Sequence, residues 1–281
     1  MTCNMKIRAV ADQVRYQRMT TAELRESFLV EDLFEPGAVE LLYSDVDRAV
    51  IGSIVPTEEK LVLPTSKAQL ASEYFAERRE IGLINIGAAG NVIVDGQSYA
   101  MENCDGLYIG RGSRQIEFES RGNSEPARFF LMSYPAHVTH PTTHIKRSGA
   151  EAVELGSVRD ANQRTIHKYI HPKGIASCQL VMGFTELKEG SIWNTMPPHT
   201  HSRRTEVYLY FNVDPAARVF HVMGTPQETR HLVVKNGQGV ISPSWSIHAG
   251  AGTRNYSFVW AMGGENQDFD DMDRIAIEEL R

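Results

Sequence analysis

The stretch at residues 197–211, PPHTHSRRTEVYLYF, determines the prediction of both fold and site. Its second half alternates: Glu206, Tyr208 and Tyr210 fall on one face of a predicted strand, and the apolar residues between them fall on the other. Short alternating runs recur on both sides of this stretch and are bounded by Gly, Asn, Asp and Pro, with an Asp-Gly hairpin signal at 95–96. The pattern predicts an all-β protein built as a sandwich or barrel.

Helical patterns are scarce in this chain. Residues 21–34 predict one short helix, with Thr21 as its N-cap and Glu23 in its first turn, and residues 270–281 predict another. A weak repeat relates ERREI at 77–81 to RRTEV at 203–207, so that Glu80 matches Glu206. We therefore predict two domains of the same fold, residues 1–140 without metal ligands and residues 141–281 with a metal site.

The charge, hydropathy and cysteine content of the chain argue against several classes of function. The net charge is −6 and no basic block stands out, which argues against nucleic acid as a partner. No apolar run approaches the roughly 20 residues that span a bilayer, and the first 18 residues contain no apolar signal segment, so we expect a cytoplasmic protein with no membrane partner. The three cysteines are widely spaced and form no CxxC pair, which argues against a thiolate zinc site.

Four residues have the chemistry and spacing of a metal site. His199 and His201 are two apart, so on a strand both imidazoles point to one face. Glu206 opens the next strand after a polar turn, and His248 follows the turn that begins at Pro243. Imidazole and carboxylate ligands suit zinc, manganese, iron, nickel or copper, so the ligand types leave the metal open.

Several motifs resemble those of known proteins. HTHSRRTE and PSWSIH are similar to the two metal-binding motifs of cupins, although Trp245 stands where a glycine is common. Together with ERREIGLINIG, MGTPQETRH and GENQDFDDMD, they resemble the family of 5-keto-4-deoxyuronate isomerases, also called 4-deoxy-L-threo-5-hexosulose-uronate ketol-isomerases, over nearly the whole chain. The resemblance implies two cupin-type (jelly-roll) β-barrels in one chain with a few short helices.

The resemblance also implies an activity. Members are intramolecular oxidoreductases of pectin or polyuronate breakdown that convert 5-dehydro-4-deoxy-D-glucuronate to 3-deoxy-D-glycero-2,5-hexodiulosonate. It implies one Zn²⁺ per chain on His199, His201, Glu206 and His248, a small sugar-acid substrate, and a cytoplasmic homohexamer.

The roles of other residues stay open at this stage. Aldose–ketose isomerisation needs a base, and a metal-bound hydroxide, Glu206 or Tyr208 could serve. The substrate carboxylate needs a cation, for which Arg164 and Lys168 are the candidates and Arg203 is a weaker one. Two other classes share these features: a metal-dependent cupin oxidase or oxygenase, and a non-enzymatic sugar-binding protein with two cupin barrels.

Overall fold

The computed structural model describes residues 5–122 and 125–281, and it is dominated by strands, as predicted. The chain divides into two compact units. Unit 1 comprises the described parts of residues 1–8, 32–150 and 169–181, and unit 2 comprises residues 9–31, 151–168 and 182–281. The predicted boundary at residue 140 treated each domain as one continuous stretch, whereas each unit contains segments from both sides of that boundary.

Unit 1 contains two β-sheets, with strands numbered in chain order. In spatial order, the larger sheet contains β1 (Lys6–Arg8), β3 (Val39–Ser44), β4 (Val50–Ile54), β11 (Phe129–Pro135), β6 (Arg79–Asn85), β9 (Gly106–Ile109) and β12 (Thr143–Ile145). The smaller sheet contains β5 (Leu61–Val62), β10 (Ile116–Ser120), β7 (Gly90–Val94) and β8 (Gln97–Met101). Alternate residues of strands from both sheets, among them Ile81, Leu83, Ile116 and Phe118, form one buried apolar cluster, as expected for two sheets packed face to face.

Unit 2 repeats this arrangement. Its larger sheet contains β13 (Glu151–Leu155), β14 (Arg164–Ile170), β15 (Val181–Leu187), β23 (Ser257–Gly264), β18 (Arg204–Phe211), β21 (Gly239–Ser242) and β2 (Leu29–Val30). Its smaller sheet contains β16 (Trp193–Asn194), β22 (Ile247–Gly252), β19 (Val219–Thr225) and β20 (Glu228–Val234), and β17 (His199–Thr200) pairs with β24 (Asp273–Arg274). Each unit is thus a jelly-roll barrel of the cupin type, and the all-β prediction is confirmed.

The repeat predicted from sequence has a structural counterpart. Strand β6 lies between β11 and β9 in unit 1, and β18 lies between β23 and β21 in unit 2. Glu80 is the second residue of β6 and Glu206 is the third residue of β18, and both are buried. The Asp95–Gly96 hairpin is also confirmed: it joins β7 to β8, and both turn residues have positive φ, as a type I′ turn requires.

The helices differ from their predictions. Helix α1 (Thr21–Phe28) ends six residues earlier than expected because the chain at Leu29 becomes extended and pairs with β21. Its N-cap is Thr20 rather than Thr21, in a capping box with Glu23. Among the residues that the structure describes, the other α-helix is α2 (Lys67–Leu70), and 3₁₀ turns occur at Tyr16–Arg18, Val46–Arg48, Phe75–Glu77, Arg147–Gly149 and Ile277–Glu279.

The predicted helix at 270–281 was wrong. Asp273 and Arg274 form β24 against β17, and the Arg281 backbone exchanges hydrogen bonds with Pro226 and Thr229. Tertiary pairing therefore overrides the local helical pattern in this segment. No helix in the described part of the chain is long and apolar enough to cross a bilayer.

Candidate metal centre

The four predicted ligands converge inside the barrel of unit 2 from three strands. His199 lies on β17, with His201 directly after that strand, Glu206 points inward from β18, and His248 lies on β22. One ligand atom from each residue lies within 4.8 Å of every other, and within residues 5–122 and 125–281 no other cluster of this kind occurs. Strands that are distant in sequence thus deliver the four side chains to one point.

The distances are short and the donor atoms face one another. The Nε2 atom of His199 lies 3.1 Å from Nε2 of His201 and 3.1 Å from Nε2 of His248. Glu206 Oε2 lies 2.9 Å from His201 Nε2 and 3.0 Å from His248 Nε2. Two ligands on a tetrahedral zinc ion, with bonds of about 2.0–2.1 Å, stand about 3.3 Å apart, so these separations suit one ion.

The ring tautomers support the same conclusion. His201 Nδ1 donates to the Asp271 carbonyl oxygen at 2.9 Å, which places its proton away from the cluster and leaves the Nε2 lone pair facing inward. Three imidazole nitrogens and a carboxylate cannot all satisfy one another by hydrogen bonding, since neutral imidazole offers only one proton. A divalent cation accepts all four lone pairs, so the residues fit such an ion.

The protonation states also suit a cation. Burial opposes ionisation of Glu206, but the neighbouring His248 and His201 lower the pKa of that carboxyl well below its usual value. Burial, with additional effects from His248 and His201, lowers the pKa of His199 to about 2. Glu206 is therefore a carboxylate and His199 a neutral imidazole at neutral pH.

The cluster opens into a cavity of about 300 Å³. Arg164 and Tyr208, both predicted from sequence, line this cavity with the ligands His199, His201 and Glu206. Lys168 does not line it: the Lys168 ammonium pairs with Glu151 at 3.1 Å and lies 4.6 Å from the centre of the Phe269 ring. Of the two predicted cations, the structure brings only Arg164 to the cavity wall.

Tyr208 stands next to the ligands. The Tyr208 hydroxyl lies 3.0 Å from Thr195 Oγ1, and its ring packs edge-on against His248. Thr195 has a φ of 51°, an uncommon conformation for a β-branched residue, which places its hydroxyl at Tyr208. Burial and the nearby Glu206 raise the pKa of Tyr208 well above its ordinary value, so the phenol is neutral and can donate a hydrogen bond.

Sequence reasoning missed one wall of the cavity. Phe269, Asp270, Met272 and Arg274 line it from the segment that follows β23. This segment was predicted to be partly helical, and its place beside the ligands depends on the pairing of β24 with β17. From the motif GENQDFDDMD, the sequence indicated only that Glu265–Gln267 close the pocket or a subunit contact, and it did not single out the four residues that line the cavity.

A second polar group in the barrel interior was also missed. His221 is fully buried on β19, and its Nδ1 atom lies 2.8 Å from the Tyr210 hydroxyl. Asn194 Nδ2 donates to the Tyr256 hydroxyl at 2.6 Å. A Cβ atom at Gly250 would come within 2.7–3.0 Å of Asn194 Nδ2 and the hydroxyls of Tyr210 and Tyr256, so glycine leaves room for this group.

The matching carboxylate of unit 1 has other partners. Glu80 accepts hydrogen bonds from the Tyr108 hydroxyl and from the backbone N–H groups of Cys178, Gln179 and Leu180, at 2.7–2.9 Å. Hydrogen-bond donors thus surround Glu80, whereas lone pairs surround Glu206.

Solved structures share this architecture. An IolB-like protein from Salmonella typhimurium LT2 superposes with a TM-score of 0.69 at 15% identity, covering 86% of this chain and 94% of that one. An oxalate decarboxylase from Lactobacillus farciminis superposes with a TM-score of 0.58 at 10% identity, covering 89% of this chain and 87% of that one. Fold and site together define a cupin protein with two barrels and a cluster of three histidines and one carboxylate.

Sequence comparison then identifies the family. Residues 43–279 match the model of the KduI/IolB family, and the chain belongs to that family. A protein from Caldicellulosiruptor bescii named 4-deoxy-L-threo-5-hexosulose-uronate ketol-isomerase is 50% identical over 277 residues, 99% of this chain and 100% of that protein. One of the same name from Dickeya dadantii is 48% identical over 278 residues, again 99% and 100%. The family resemblance and the enzyme class, an intramolecular oxidoreductase of the ketol-isomerase type, are confirmed.

Proposed function

We propose that this enzyme interconverts 5-dehydro-4-deoxy-D-glucuronate and 3-deoxy-D-glycero-2,5-hexodiulosonate, with one zinc ion per chain held by His199, His201, Glu206 and His248. One observation carries the proposal: four metal-ligand atoms converge on a cavity, in a chain about half identical over its full length to proteins named as this ketol-isomerase. A sugar-binding protein would have no need of an open cluster of this kind.

The reaction moves a carbonyl group by one carbon along a sugar-acid chain. A proton leaves C2 and another is delivered to C1, which requires a base, an acid and stabilisation of the intervening negative charge. Zinc at the cluster would supply Lewis-acid stabilisation of the carbonyl and hydroxyl oxygens. The remaining requirements fall to the side chains of the cavity.

Arg164 is the residue we assign to the substrate carboxylate. Its guanidinium is partly buried in the cavity wall, and Nη1 donates to the Asn162 carbonyl at 2.9 Å, which orients the group. Burial lowers the pKa of Arg164, although not enough to discharge a guanidinium, so a desolvated cation faces the cavity. A carboxylate can accept two hydrogen bonds from such a group.

Proton movement is assigned by protonation state. Tyr208 carries its proton at neutral pH and is the donor we assign to a substrate oxygen, while Glu206 remains a ligand because its pKa is low. Asp270 adds an exposed carboxylate to the cavity wall and is a further candidate for the base.

The test combines metal analysis with an isomerase assay. We expect about one zinc per chain in the purified protein, turnover of the 4-deoxy-5-keto uronate, loss of that turnover after chelation, and recovery when zinc is returned. Iron or copper together with oxygen uptake would replace the proposal with an oxidase. Absence of both metal and turnover would leave a binding protein.

The assembly, cellular location and pathway of the enzyme are proposed from the family resemblance. We propose a cytoplasmic homohexamer acting on a small sugar acid from pectin or polyuronate breakdown. Light scattering of the purified protein measures the assembly directly, and a monomer or dimer at working concentration would contradict the hexamer.

A further inference from the structure

The adjacent arginines of the HTHSRRTE motif have no role in the function proposed above. Arg203 and Arg204 are absent from the cavity wall, so neither is placed to bind substrate. Both instead contact the segment at residues 265–272, which joins β23 to β24 and which we call the strap. The strap supplies Phe269, Asp270 and Met272 to the cavity.

Arg204 is the central contact of the strap. It is 1% exposed and is among the largest fully buried side chains described. Its guanidinium donates to three strap carbonyl oxygens, those of Asp268 at 2.6 Å, Phe269 at 3.3 Å and Asp271 at 3.1 Å. A planar fork with several donors can hold three carbonyl groups in one arrangement, which a lysine ammonium cannot reproduce.

The Asp271 carbonyl oxygen links the strap to the metal cluster. It accepts both from Arg204 Nη2 and from His201 Nδ1, at 3.1 and 2.9 Å, and the two donor atoms lie 3.4 Å apart. The hydrogen bond to Nδ1 determines which way the His201 ring faces and which nitrogen carries the lone pair. The position of the strap therefore affects the orientation of a ligand.

Arg203 holds the same residue from its other side. Its guanidinium contacts the Asp271 carboxylate, with Nε 2.8 Å from Oδ2, and Arg203 O accepts from the Glu265 N–H at 2.9 Å. Hydrogen bonds from Arg203 and Asn266 lower the pKa of Asp271 well below its usual range. This contact is exposed, and it secures the strap without reaching the metal cluster.

We propose that Arg204 is a positioning residue that holds the strap as a wall of the cavity and, through the Asp271 carbonyl, orients His201 for metal. The inference rests on the proposed metal site, but its strap component does not depend on turnover. It assigns the arginine pair of the motif to support of the site rather than to the substrate.

Charge and geometry predict opposite effects on metal binding, which makes the proposal testable. A buried cation near a dication opposes metal binding, so removing the charge alone would tighten it. Loss of positioning would weaken it, because partners that orient metal ligands are typically worth 10–100-fold in affinity. Arg204→Lys keeps the charge and loses the fork, whereas Arg204→Gln loses both.

The chain offers a matched control in the other unit. Arg79 on β6 is also buried, and its guanidinium donates to the carbonyl oxygens of Ser133 at 2.8 Å and Arg48 at 2.6 Å. Arg79→Lys therefore reproduces the loss of folding stability caused by a buried lysine. The site of this control is far from the ligands in sequence and lies in the other barrel.

The experiment compares wild type, Arg204→Lys, Arg204→Gln and Arg79→Lys in the full chain. Hydrogen exchange of 265–272 in the metal-free protein reports the strap, zinc competition with a chelating dye reports affinity, and the visible spectrum of the cobalt-substituted protein reports ligand geometry. We expect faster strap exchange, about 10-fold or greater loss of zinc affinity and an altered cobalt spectrum in both Arg204 variants, and none of these in Arg79→Lys.

Three results would overturn the proposal. If Arg204→Lys showed wild-type strap exchange and wild-type zinc affinity, Arg204 would only contribute to packing of the core, whatever the melting temperature of the variant. Tighter zinc binding in Arg204→Gln would make its effect electrostatic. Faster strap exchange without loss of affinity would remove the link to His201. Wild-type protein that bound no zinc would refute the proposed function, while the exchange measurement would still test the strap.

Discussion

Replacing His248 with alanine tests the ligand set most directly. His248 is 1% exposed, and its Nε2 atom lies 3.1 Å from His199 Nε2 and 3.0 Å from Glu206 Oε2. The substitution removes one of four converging lone pairs and leaves the other three in place. We expect the variant to fold and to bind zinc much more weakly.

The magnitude follows from the number of ligands. Four-ligand zinc sites in small domains bind with about 10–16 kcal/mol, so an equal share for each ligand is about 2.5–4 kcal/mol. That corresponds to a loss of about 10²–10³ in affinity. Solvent replaces part of the lost coordination, which places the expected loss toward the lower end.

The assay is zinc competition with a chelating dye, followed by elemental analysis after dialysis. His221→Ala is the matched control, because His221 is also a fully buried histidine, lies on β19 beside β22, and is outside the cluster. His248→Ala with wild-type affinity would remove His248 from the ligand set. Equal losses in both variants would show that any cavity in the barrel disturbs the site.

Further predictions address substrate, proton donor and pH. Arg164→Lys should lower kcat/KM by about 10–100-fold, mainly by raising KM, because the two charge-assisted hydrogen bonds of the guanidinium to the substrate carboxylate are lost. Steady-state kinetics on protein with unchanged zinc content measures this effect, and an unaltered KM would contradict it. Tyr208→Phe should lower kcat by about 100-fold with zinc retained if its hydroxyl donates a proton, and wild-type kcat would exclude that role. Burial lowers the pKa of His221 from 6.5 to about 3, so the folded protein keeps this ring neutral while the unfolded chain binds a proton below pH 6.5. The metal-free protein should therefore lose about 1 kcal/mol of stability from this residue between pH 7 and 5.5; urea unfolding of wild type and His221→Gln measures the difference, and equal pH slopes would contradict it.

The barrel architecture could be predicted because its signals are local. The alternation at 204–211 follows from side chains that point to opposite faces of a strand, and the Asp95–Gly96 turn follows from backbone conformations that few residues adopt. His199 and His201 could be paired for the same reason. Glu206 and His248 joined them because Glu206 opens the next predicted strand and His248 follows the turn that begins at Pro243, and their motifs also resemble those of cupins.

Positions that depend on distant pairing could not be predicted. The end of α1 is set by the pairing of Leu29 and Val30 with β21. Residues 273–274 form a strand because they pair with β17. Lys168 and Arg164 are four residues apart on one strand and were equally plausible cations for the substrate carboxylate. The Lys168 ammonium instead pairs with Glu151 and lies over the Phe269 ring.

The sequence by itself thus determined the strands, the ligand types and the enzyme family, since each depends on residue identity and near spacing. Only the tertiary structure decided which of the two predicted cations, Arg164 and Lys168, lines the cavity, which wall the strap forms, and what Arg203 and Arg204 contact. Those outcomes depend on residues about 60 to 100 positions apart meeting in space, as Arg204 meets Asp268 and Lys168 meets Phe269. Local sequence propensity does not predict such long-range contacts, because their free energy is gained only when the barrel closes.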